Sequence, residues 1–253
     1  MQKDQYRTLE VVQNIHWFYD HRRNLIEREI LRIFPNRRDL KILDFGSGMG
    51  ANIALLSGFG NVYCVEPEAI ARDHLKSLTL KVYESIEDAI RESGETFDLV
   101  LVSYVLYHQN VAIPESTLIK LREITTENGA LVSLEPAFES LKRNMDVRVH
   151  GARRFTAEDM RTVMNRSGWM PLKVNYLLPS LYPVAWLLAH LDRWNQKKNP
   201  GSTLMPIEQS AGRNRFANFI IRIWLNTADR WLVWLGVPRG IGVLTVAKNV
   251  TRP

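Results

Sequence analysis

The feature that most constrains this chain is a short apolar strand that runs straight into three glycines. Lys41-Ile-Leu-Asp-Phe45 meets Gly46-Ser-Gly-Met-Gly50, a helix is expected through Ile53, Leu55 and Leu56, and a second strand, Asn61-Val-Tyr-Cys-Val65, ends at Glu66 and Pro67. Glycines between a strand and a helix let the backbone turn sharply and let a ligand approach the main chain. Glu66 follows Gly46 by 20 residues, the spacing at which a carboxylate at the tip of the second strand takes the two hydroxyls of a ribose. A dinucleotide would bring its pyrophosphate to this turn. Asp44, two residues before Gly46, would repel it. S-adenosylmethionine brings a cationic ammonium and a sulfonium instead, which Asp44 attracts.

The rest of the chain repeats the alternation. Further strands are expected at Thr79–Tyr83, Phe97–Val102, Gly129–Leu134, Trp169–Leu177 and Gly242–Ala247, with helices over 5–34, Leu118–Ile124 and from Thr156, whose hydroxyl and Asp159 form a capping-box pattern, to about Ser167. Phe97-Asp-Leu-Val-Leu-Val102 is too continuously apolar to have a wet face. Strands alternating with helices predict an α/β fold with a mostly parallel sheet covered on both faces. Four regions are expected: an N-terminal helical cap over 1–40, a ligand-binding α/β core over 41–177, a helical insertion over 178–241, and a last strand and tail over 242–253.

Several of these segments resemble the successive motifs of class I S-adenosylmethionine-dependent methyltransferases: Ile42-Leu-Asp-Phe-Gly-Ser-Gly-Met-Gly50, Val65-Glu-Pro67, Phe97-Asp-Leu-Val-Leu-Val-Ser103 and Gly129-Ala-Leu-Val-Ser133. His16-Trp-Phe-Tyr-Asp-His-Arg-Arg23, His150-Gly-Ala-Arg-Arg-Phe-Thr156 and Pro238-Arg-Gly-Ile-Gly-Val-Leu244 are similar to a bacterial subgroup often associated with cell-envelope glycan or lipid metabolism. The resemblance implies a Rossmann-like, seven-stranded sheet with the last strand antiparallel, and S-adenosylmethionine as cofactor. It places Gly46, Ser47, Gly48 and Gly50 along the methionine part, Asp44 near the ammonium, Glu66 on the ribose, and Pro67, Ser85 and Ile86 near the adenine. Ser103 and Tyr104 would flank the methyl-transfer end. Many relatives have an acid directly before the histidine that follows the fourth strand; here Tyr107 precedes His108.

Methyl transfer from a sulfonium is an in-line displacement, so the protein chiefly aligns the nucleophile and excludes water. A hydroxyl acceptor also needs a base, and His108, Tyr104 and His150 are the catalytic candidates. Tyr107 is a candidate pocket wall, and Arg153 and Arg154 could grip an acceptor carboxylate or phosphate with forked hydrogen bonds. Arg22 and Arg23, after an aromatic run, could reach the cofactor carboxylate. No metal is expected: Cys64 is the single cysteine, which excludes disulfides and Cys-rich zinc sites.

The net charge of +6 is concentrated. From Ser180 to Pro253 there are ten basic residues against three acidic, and five of the seven tryptophans lie there too. Two apolar helices are expected in this stretch, Tyr182–Trp194 and Arg215–Leu235, with a polar loop over Asn195–Arg213 between them; neither suits a bilayer span. The insertion would cap the acceptor pocket, pair two subunits, or lie on an anionic membrane surface. No apolar h-region opens the chain, so a cytoplasmic protein is expected, with peripheral membrane contact through 180–240. The leading reading is methyl transfer, favouring oxygen, to a small-molecule or lipid- or glycan-linked acceptor. An RNA-directed methyltransferase and a non-enzymatic, membrane-associated protein of the same fold are the alternatives. Methylation of base nitrogens is disfavoured because Ser103-Tyr-Val-Leu-Tyr107 lacks an Asn/Asp-Pro-Pro-aromatic loop.

Overall fold

The computed structural model describes residues 16–94, 96–198, 223–224 and 227–250. Its centre is a seven-stranded sheet in the order β3-β2-β1-β4-β5-β7-β6. The strands are β1 (Leu40–Phe45), β2 (Gly60–Val65), β3 (Lys81–Tyr83), β4 (Phe97–Ser103), β5 (Thr125–Pro136), β6 (Met170–Leu177) and β7 (Gly242–Lys248). β7 alone runs antiparallel, inserted between β5 and β6. The α/β, Rossmann-like arrangement expected from the motifs is therefore present, including the reversed last strand.

Helices α1 (Trp17–Ile33), α2 (Ile53–Leu56) and α3 (Ala69–Leu75) cover one face. Helices α4 (Ile86–Ser93), α5 (Pro114–Glu123) and α7 (Ala157–Arg166) cover the other. The short α6 (Asn144–Arg148) lies in the connection from β5 to α7. β4 explains its own sequence: Leu99 and Leu101 point into the first layer, Val100 and Val102 into the second, and all four are fully buried. Each such side chain contributes about 1.5–3 kcal/mol through burial.

Several boundaries differ from expectation. α1 starts at Trp17, capped by His16 Nδ1, which accepts from the Phe18 amide at 3.2 Å; the expected part over 5–15 lies outside the described residues. This helix is part of the core rather than a separate cap, because Leu25, Ile26 and Ile30 pack on β1 and its neighbours. α2 has only four residues. Gly60, which starts β2, has no room for a side chain, since a Cβ would sit 2.0 Å from the Leu40 carbonyl oxygen. β3 is shorter than expected, starting at Lys81, and β5 is longer, starting at Thr125 with a register shift opposite Phe97 and Leu99. The Thr156 capping box forms as read: Thr156 Oγ1 accepts from the Asp159 amide at 3.1 Å, and Asp159 Oδ2 accepts from the Thr156 amide at 2.7 Å.

Beyond β6 the chain turns through a 3-10 turn at Pro179–Leu181 into α8 (Tyr182–Lys198). This helix continues into the stretch expected as loop from Asn195, and residues 199–213 lie outside the described residues. Of the expected helix over Arg215–Leu235, Ile223 and Trp224 are helical and Ala228–Trp234 forms α9, which packs on the same 3-10 turn and on β6.

Candidate active site

The carboxyl ends of β1, β2 and β4 converge on the glycine turn. Gly46, Gly48 and Gly50 all have positive φ, at 75°, 54° and 79°, but they serve different purposes. A Cβ on Gly46 would lie 2.4 Å from Val105 Cγ2, so the turn can pass beneath the loop after β4 only as glycine. A Cβ on Gly48 would meet nothing within 4 Å. The turn's open side is there. The Gly46 and Ser47 amides donate to the Val65 carbonyl at 2.8 and 3.2 Å, tying the turn to the end of β2.

Glu66 closes the other side. Its Oε2 accepts from the Gly48 amide at 2.7 Å and its Oε1 from the Glu68 amide at 3.0 Å. Burial raises its pKa, and these two donors oppose the rise. Asp44 is deeper, 1% exposed, and its Oδ2 is buried without a hydrogen-bond partner among the described residues. Burial pushes its pKa up to about 7; the charge of Arg22 pulls against that and the charge of Glu66 adds to it.

Arg22 enters from α1. Its Nη2 donates to Ser103 Oγ, its guanidinium lies 4.3 Å from the centre of the Tyr104 ring, and its Nε is buried without a partner among the described residues. Of the two adjacent arginines, the helix turns only this one inward, while Arg23 pairs with Asp20. Tyr104 itself has φ 60° at the end of β4, and its amide donates to the Leu134 carbonyl at 2.7 Å.

Tyr104 also lines a cavity of about 120 Å³ beyond the β5 side of the turn, with Trp17, Phe18, Arg154, Leu181 and Ile241 among its other walls. Trp17 Nε1 is buried without a hydrogen-bond partner among the described residues. Arg154 lies in the wall with its charge matched: Nε and Nη2 donate to Asp146 at 2.8 and 3.1 Å, and Nη1 to the Ala137 carbonyl at 3.0 Å.

The remaining sequence candidates scatter. Arg153 is taken up by main-chain carbonyls of Val111 and Ala112, at 2.7 and 3.2 Å, and is not among the residues lining the cavity. His108 and His150 stand side by side, ring centroids 5.7 Å apart, and neither lines the cavity. His108 Nδ1 accepts from the Asn110 amide at 3.2 Å, and burial followed by the charge of His150 lowers the His108 pKa. Tyr107 sits between Tyr104 and His108, with its ring edge-on to both, and burial raises its phenol pKa. Ser85 caps α4, accepting from the Asp88 amide at 3.1 Å, and Ile86 packs into the core beside it, while Pro67 is exposed at the rim next to Glu66.

One residue at the site escaped the sequence reading. Glu135, at the end of β5, is fully buried beneath the loop after β4. Its Oε1 accepts from the amides of Val105 and Leu106 at 3.2 and 2.9 Å, and its Oε2 from the Tyr107 amide at 3.2 Å. Burial raises its pKa to about 8 against the pull of these three donors. The carboxylate thus holds the loop whose first residue is Tyr104. The signal available was a charged residue closing the buried run over 130–134, which is tolerated only if it is satisfied.

No curated protein matches the sequence. Residues 18–174, well over half the chain, match the methyltransferase domain family. Among solved structures, a provisionally assigned sarcosine dimethylglycine methyltransferase from Galdieria sulphuraria superposes with a TM-score of 0.61 at 12% identity, covering 98% of this chain and 99% of that one. A SAM-dependent methyltransferase from Archaeoglobus fulgidus gives 0.54 at 15% identity, over 89% and 94%. A geranyl diphosphate methyltransferase, solved in complex with SAM, gives 0.52 at 11% identity, over 89% and 85%. These identities carry the fold alone. The match across β1 to β6 carries the family, and with it the alternative of a non-enzymatic scaffold falls away: the chain belongs to the methyltransferase domain family and is an S-adenosylmethionine-dependent methyltransferase.

Proposed function

We propose that the enzyme methylates an oxygen of a small or lipid- or glycan-linked acceptor held in the cavity beside Tyr104. The residues at the glycine turn fit the cofactor. The unpartnered Asp44 Oδ2 suits its ammonium, and the unpartnered Arg22 Nε suits its carboxylate. Glu66, beside the opening over Gly48, would take the ribose hydroxyls. Pro67, Ser85 and Ile86 flank the expected adenine end. Bound there, S-adenosylmethionine supplies a methyl group on a sulfonium, already activated for displacement.

The chain's own residues then orient the acceptor and keep water out. The observation that carries this reading is the position of Tyr104. It follows Ser103 at the end of β4, stacks on Arg22, and lines the cavity. Tyr104 and Trp17 at that wall carry donors that favour an oxygen-bearing acceptor, and Phe18, Leu141, Leu181 and Ile241 favour one with an apolar part. Tyr104 is the catalytic candidate with direct access.

Methyl-labelled S-adenosylmethionine, incubated with small-molecule and lipid extracts, tests this. Label is expected in a small or lipid product, and Tyr104→Phe should lower turnover by about 10²-fold with little change in S-adenosylhomocysteine affinity. Label found in RNA or protein would overturn the acceptor class.

A further inference from the structure

α8 is apolar on two opposite sides. Ala185, Ala189 and Asp192 form its inner stripe. Ala189 and Asp192 are buried, Asp192 in an ion pair with Arg143, and Ala185 lines the cavity. Val184, Leu187 and Leu191 fall at helical spacing on the opposite side and are 48, 52 and 41% exposed. These three apolar side chains face away from the other described residues. α9 repeats the pattern, with Trp231, Trp234 and Leu235 at least 65% exposed. Both helices meet the Pro179–Leu181 turn, and Leu181 lines the cavity.

We propose that the outer faces of α8 and α9 dock on an anionic lipid surface, which places the mouth of the cavity at the bilayer and makes the acceptor an amphiphile taken from it. This rests on the acceptor reading above. Charge complementarity selects lipid over a second copy of the chain. The described residues of α8, α9 and the turn after α9 include Arg193, Lys197, Lys198, Arg230 and Arg239 against Asp192 and Asp229, so two copies would bring like charge together, whereas an anionic bilayer attracts it. The aromatic content agrees: the five tryptophans of this region are each at least 43% exposed, and indole rings favour the headgroup level, with the ring in the apolar layer and the N–H toward water. No helix among the described residues is long and apolar enough to cross a membrane, and the contact proposed is one in the interface plane.

The test is sedimentation with phosphatidylcholine vesicles, with and without phosphatidylglycerol, at low salt. No acceptor or turnover is involved, so its failure is separate from failure of the acceptor reading. Binding is expected only with phosphatidylglycerol, accompanied by a blue shift of tryptophan emission. The variant Leu187→Glu with Trp234→Glu should lose about tenfold or more of that binding while titrating with S-adenosylhomocysteine as the wild type does. No binding to anionic vesicles, equal binding by the variant, or a dimer that the variant dissociates would each overturn the proposal, the last by assigning the face to a second copy.

Discussion

Asp44→Asn separates what the fold prefers from what the ligand requires. In the ligand-free protein the carboxyl has a pKa of about 7 instead of 3.8, chiefly through burial. A raised carboxyl pKa means that the native state favours the neutral form. That contribution to stability is present in full below about pH 4 and is lost as the pH rises through about 7. The rise from 3.8 to about 7 corresponds to about 4 kcal/mol at most, at about 1.36 kcal/mol per pKa unit. Asparagine keeps the shape and cannot ionise. The variant should therefore match the wild type near pH 4 and become more stable above it. The difference should plateau above about pH 7, with Tm higher by up to about 10 °C for a chain of this size. The assay is thermal unfolding without ligand across that range. Calorimetry on the same variant should show S-adenosylhomocysteine affinity lower by about 10- to 100-fold, because the ammonium loses a charged acceptor. Equal melting temperatures at pH 8, or a less stable variant, would refute the reasoning, by showing that the native site already compensates the carboxylate.

Three other perturbations discriminate among neighbours. Gly46→Ala should cost about 2–4 kcal/mol, read from the urea midpoint, since its Cβ would lie 2.4 Å from Val105 Cγ2 at positive φ. Gly48→Ala should cost only about 1 kcal/mol for its φ yet weaken S-adenosylhomocysteine binding about tenfold, because the methyl enters open space meant for ligand; a normal affinity would move the ligand elsewhere. Glu135→Gln exchanges an acceptor for an amide donor facing backbone N–H groups, so about 1–3 kcal/mol of stability should be lost. kcat should fall while S-adenosylhomocysteine affinity stays within about twofold; an unchanged kcat would make Glu135 purely structural.

Local patterns made most of this architecture legible. The glycine turn, the alternation of apolar strands with helices, and the Thr156–Asp159 box each depend on residues close in sequence, and each forms as read apart from boundaries. What the sequence hid depends on distance along the chain. Glu135 acts on amides 28 to 30 residues earlier, and no local pattern links them. Arg22 and Arg23 are adjacent, and only the rotation of α1 decides that one meets Ser103 and Tyr104 while the other stays with Asp20. His108, His150 and Arg153 were grouped with the site by their place after β4 or before α7. The fold gives Nδ1 of each histidine and the Arg153 guanidinium a partner among Gln109, Asn110, Val111 and Ala112.

The most direct test of the account is a calorimetric titration of the protein with S-adenosylhomocysteine, run beside Glu66→Ala. The account predicts binding in the micromolar range or tighter (about −8 kcal/mol at 1 μM), and loss of about tenfold or more when the ribose carboxylate is removed. A folded wild type that releases no heat, or a Glu66→Ala variant that binds as tightly as the wild type, would contradict it.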